Sequence, residues 1–121
     1  MSERHTHQAA ASINHQIGRQ LQRAAGDGQC WVPTLALYSA VQVAEGRFAD
    51  GNIHTREHGD RYAQLHLLGG PAASAPYQKL KTLSSHWRYD GRRPTDGELE
   101  QGWRWVADLA AALQERWPPA E

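Results

Sequence analysis

From Thr95 to Trp117 the residues Leu99, Trp103, Val106, Ala110, Leu113 and Trp117 recur at alternating intervals of four and three. That spacing is α-helical and sets all six side chains on one face. Thr95 and Glu98 stand at capping-box distance, and Asp96, Glu98 and Glu100 suit the positive end of the helix dipole. Glu100, Arg104 and Asp108 form i,i+4 pairs on the opposite face, and Pro118-Pro119 ends the pattern. So wide an apolar stripe must be covered, either by the rest of the chain in an intramolecular bundle or by a second chain along a seam, since both use the same spacing. For a chain this short the bundle is the favoured reading, with dimerisation in addition.

Further helices are the simplest reading of the remaining segments. Gln8 to Ala25 carries Ala10, Ile13, Ile17, Leu21 and Ala24 on one face and is stopped by Gly26-Asp27-Gly28. Thr34 to Arg47 carries Leu37, Val41 and Ala44, with Phe48 continuing the stripe. Asp60 is placed to cap a short helix with Tyr62, Leu65 and Leu68, which Gly69-Gly70-Pro71 terminates. Ser74 is placed to cap another, with Tyr77, Leu80, Leu83 and Trp87, before the bend Asp90-Gly91 and Pro94.

The expected fold is therefore all-α, a compact bundle of four to five helices in a single domain spanning residues 1–121. Residues 1–7 are expected to be disordered and 118–121 to form a short tail. The alternative is α+β. Val41 and Val43 alternate as in a strand, and Asp50-Gly51 suits a tight turn, which would build a β-hairpin around residues 41–57. Gly102, beside the last apolar stripe, suggests close approach by another backbone.

With 121 residues the chain can bury a core without covalent staples, and its only cysteine, Cys30, has no partner within the chain. The first residues lack the apolar segment of a signal peptide, and the longest mainly apolar run, Trp31 to Val41, is too short to span a bilayer. A cytoplasmic protein with no membrane partner is expected. Net charge is zero, but residues 1–26 and 77–93 sum to +2 and +4 while 27–76 and 94–121 sum to −2 and −4.

Three groups of residues invite a chemical reading. His54 and His58 are four apart, as two metal ligands on one helical face would be, and His66 could join them if the chain folds back. Glu57, however, precedes the second histidine rather than following the first, which departs from the zinc-protease pattern. Arg61 and His66 have the loose arginine-to-histidine spacing of helical ribonucleases of the HEPN class. Eleven arginines and seven histidines produce about two such pairs by chance, and two occur, Arg61/His66 and Arg47/His54.

The second group, Lys79, Lys81, Trp87, Arg88, Tyr89, Arg92 and Arg93, mixes cations with aromatic rings, as single-stranded nucleic-acid sites do. Against it, Trp87 fits its own helix's apolar stripe. The third is Trp105, at the edge of the last helix's apolar face, where it could anchor a protein interface. No serine-nucleophile elbow, phosphate-binding glycine loop or Cys-x-x-Cys motif is present. The leading expectation is a non-catalytic accessory protein, without cofactors, that binds a protein partner or forms a homodimer. Nucleic-acid binding through residues 79–93 is the first alternative. A metal-dependent or ribonuclease-like enzyme using His54, His58 and His66 is the second.

Overall fold

The computed structural model describes residues 3–119; residues 1 and 2 of the expected disordered segment, and 120 and 121 of the expected tail, lie outside them. Five helices form the bundle: α1 Glu3–Ala24, α2 Val32–Asp50, α3 His58–Gly69, α4 Pro71–Asp90 and α5 Asp96–Ala112. A short 3₁₀ turn, Asp27–Trp31, joins α1 to α2, and there is no strand among the described residues. The hairpin alternative is thereby excluded, because α2 runs unbroken through residues 41 to 50.

Helix α2 is the central element, packed by α1, α4 and α5. Val41, Val43, Ala44 and Phe48 are all buried on it, along with Ala36, Leu37 and Ala40. A helix covered on most sides shows no polar face, and this explains the strand-like alternation of its valines.

On α1 the buried side is not the isoleucine stripe. Ala11 and Gly18 face the bundle, while Ile13 and Ile17 are exposed. Small residues let the helix come close: a Cβ on Gly18 would lie 2.5 Å from Cζ2 of Trp103. The helix also takes in residues 3–7. Arg4 pairs there with Asp50 and, at 2.7 Å, with Glu115, and Nδ1 of His7 lies 2.6 Å from the Gln42 amide oxygen.

The capping box of α5 forms as its spacing requires. The Glu98 amide donates to Thr95 Oγ1 at 3.1 Å, and the Thr95 amide donates to Glu98 Oε1 at 2.9 Å. Leu99, Trp103, Val106, Ala110 and Leu113 are buried. The helix stops before Trp117, because Gln114 takes a left-handed conformation and the Glu115 amide bonds back to the Ala110 carbonyl. Trp117 then turns over α1, its ring 5.0 Å from that of His15. A Cβ added at Gly102 would meet the Ala36 and Leu83 side chains at 3.7 Å, ordinary contact rather than the expected backbone approach.

Two expected caps take other roles. Pro71 occupies the first turn of α4, so Ser74 lies inside the helix and donates to the Gly70 carbonyl. Asp60 likewise falls in the first turn of α3, which begins at His58 without a side-chain cap. At its other end α4 closes on Gly91, in the left-handed region, with the Arg92 amide bonding the His86 carbonyl at 2.9 Å.

Candidate functional site

Residues of α4 on the side away from its apolar stripe recur as Gln78, Lys81, Thr82, Ser85, Arg88 and Tyr89. With His58 from the start of α3 they line an open groove of about 220 Å³. On the other flank of α4 lies a second groove of about 240 Å³, toward α5, lined by Gln78, Lys79, Thr82, Leu83, His86, Glu98 and Trp105. Gln78 and Thr82 border both, so α4 forms a ridge between two concave surfaces.

Behind the first groove sits a buried polar network. Arg61 Nε donates to Glu45 Oε1 at 3.0 Å, and Arg61 Nη1 donates to the Tyr77 hydroxyl at 3.0 Å. The Thr55 hydroxyl also bonds to Glu45. The Tyr77 hydroxyl, already accepting from Arg61, has its own proton left for His58 Nδ1, with which it is hydrogen-bonded. Nδ1 is then the acceptor nitrogen, and Nε2 carries the imidazole proton. Burial lowers the His58 pKa below 6.5, and the positive charges of Arg61, Lys81 and Arg88 lower it further. Glu45 answers the charge of Arg61, whereas Lys81 and Arg88 have no carboxylate partner among the described residues.

Cations and rings of the basic segment divide by partner. Arg92 pairs with Glu98 at 3.0 Å, and Arg93 pairs with Asp27 at 2.7 Å. Trp87 is half-buried and meets Trp31 edge to face, with centroids 6.3 Å apart. Lys79, Lys81, Arg88 and Tyr89 remain presented outward or into the grooves. Tyr89 is 76 % exposed, and Arg88 lies over its ring at 5.0 Å. Trp105 is half-buried, packed against the core, with the Lys79 ammonium 5.9 Å from its ring centre.

The histidines singled out by spacing are not gathered. His54 faces Glu3, His58 faces Tyr77, and His66 Nδ1 lies 3.0 Å from Ser74 Oγ. The described residues contain no cluster of three or more histidine, cysteine and acidic side chains. Arg61 and His66 diverge as well, the one buried on Glu45 and the other exposed on α3.

Sequence reasoning missed His58, Gln78, Thr82 and Ser85 as groove residues. The helical period of the polar face, at 78, 82, 85 and 89, was the available signal. Nothing in the sequence marked the joining of Glu45, Arg61 and Tyr77. Comparison of the chain with protein-family models, with curated proteins and with solved structures finds no match.

Proposed function

We propose that the protein is a non-catalytic accessory protein that binds single-stranded nucleic acid across the α4 ridge. One observation carries this reading: the groove at His58 holds Lys81 and Arg88 without a carboxylate partner among the described residues, beside the exposed ring of Tyr89. Phosphates suit the cations, and a base suits the ring.

Dimensions favour a polymer over a free small molecule. A groove of about 220 Å³ falls below the roughly 300–1,000 Å³ typical of pockets that enclose a whole ligand. Lys81 and Arg88 are two turns apart, about 10 Å along the helix, or about three stacked nucleotides.

The test is fluorescence anisotropy of a short labelled single strand at low salt. Lys81→Glu with Arg88→Glu is expected to abolish binding, while Arg23→Glu on exposed α1 surface leaves it intact. Equal binding by both variants, or none by the native protein, rejects the reading.

A second reading, association with a protein partner or a second copy, draws on the apolar surface of α3. Leu67 is 76 % exposed there, and Tyr62 and Leu68 are also exposed. Sedimentation of the native protein against Leu67→Ser tests it, a single monomeric species in both cases being the negative result.

A further inference from the structure

We infer that the groove between α4 and α5 is a base-accepting subsite, in which a nucleobase of the bound strand lies against Trp105. The inference rests on the nucleic-acid reading given above and adds a second contact of different chemistry. Leu83 and Trp105 give the groove apolar lining, and Gln78 and Thr82 of α4 line it beside them with an amide and a hydroxyl side chain. A planar heterocycle with donors and acceptors on its edge matches that combination of ring and amide.

Three observations favour a base over an apolar protein side chain. The groove adjoins the phosphate groove across a single helix, sharing Gln78 and Thr82, so one strand crossing α4 reaches both. The Lys79 ammonium, 5.9 Å from the centre of the Trp105 ring, holds a cation beside the groove for the adjoining phosphate. Glu98, the acid at this groove, is occupied by Arg92 and by the Thr95 amide, so its charge is answered before any ligand arrives. On binding, the exposed Lys79 side chain swings from the ring to a phosphate, and the base takes its place.

Tyr89 also offers a ring, so the test removes it first. In Tyr89→Ala protein, affinity is compared for a normal single strand and for an abasic strand of the same length. Because stacking on one ring contributes about tenfold in affinity, the abasic strand is expected to bind about tenfold more weakly. Photocrosslinking of a 5-iodouridine strand to the native protein is expected to label the peptide containing Trp105. Equal affinity for both strands, or labelling confined to the Tyr89 peptide, overturns the subsite and leaves nucleic-acid binding standing. Failure of the native protein to bind either strand at low salt overturns both.

Discussion

Arg61 of α3 and Glu45 of α2 form an ion pair at 3.0 Å inside the bundle, each side chain only 9 % exposed. Burial alone would lower the arginine's pKa, but its bonds to Tyr77 and Glu45 raise it overall, so the guanidinium remains charged. Removing one partner strands the other in a poorly solvated place. Arg61→Ala is expected to cost about 3–5 kcal/mol, whereas replacing both residues with apolar side chains of similar size is expected to cost much less. Urea unfolding of the single and double variants measures the difference.

Two glycines against neighbouring helices should respond oppositely to alanine. At Gly18 the new Cβ would meet the rigid Trp103 indole at 2.5 Å, and Gly18→Ala is expected to destabilise by roughly 1–3 kcal/mol. At Gly102 the neighbours are 3.7 Å away, so Gly102→Ala should gain up to about 1 kcal/mol of helix propensity. Thermal melts of the two variants decide the matter by sign.

The Thr95 cap is a third point of leverage. Thr95→Ala removes the acceptor for the Glu98 amide and is expected to cost about 0.5–2 kcal/mol. The reciprocal bond of the box, donated by the Thr95 backbone amide to the carboxylate, and after it the Arg92 guanidinium, hold the Glu98 carboxyl below its ordinary range. In an NMR titration, Arg92→Ala should therefore move the Glu98 pKa up part of the way.

How much of this was legible in the sequence follows from where each helix meets water. One face of α5 is buried and the other solvated, so its period could be read directly from Leu99 to Leu113. Helix α2 is covered on most sides, and Val41 and Val43 kept a hairpin open as an alternative. On α1 the isoleucines formed the more obvious stripe, yet the buried face carries Ala11 and Gly18, the glycine lying where a Cβ would run into Trp103. The basic aromatic segment was visible as composition. Tertiary partners, Glu98 for Arg92 and Asp27 for Arg93, decided which of its cations stayed available.

His58 links the network to the groove and gives a pH prediction. Its folded pKa lies below the 6.5 of the free side chain, so the unfolded chain takes up a proton at higher pH than the fold does. The stabilising contribution is present above pH 6.5 and is lost as pH falls through that value and past the folded one. Urea midpoints of the native protein should drop over this range more steeply than those of His58→Gln, and parallel curves would remove His58 from the account.

The central claim, that Lys81 and Arg88 hold the phosphates of a single strand, with Lys79 reaching a third beside Trp105, is tested most directly by the salt dependence of oligonucleotide affinity. Three phosphate contacts on a single strand give a slope of about −2 in log K against log salt. The double variant Lys81→Ala with Arg88→Ala should retain a slope of about −0.7, with weaker binding throughout. A native slope near zero, or one that the double variant leaves unchanged, would contradict the account.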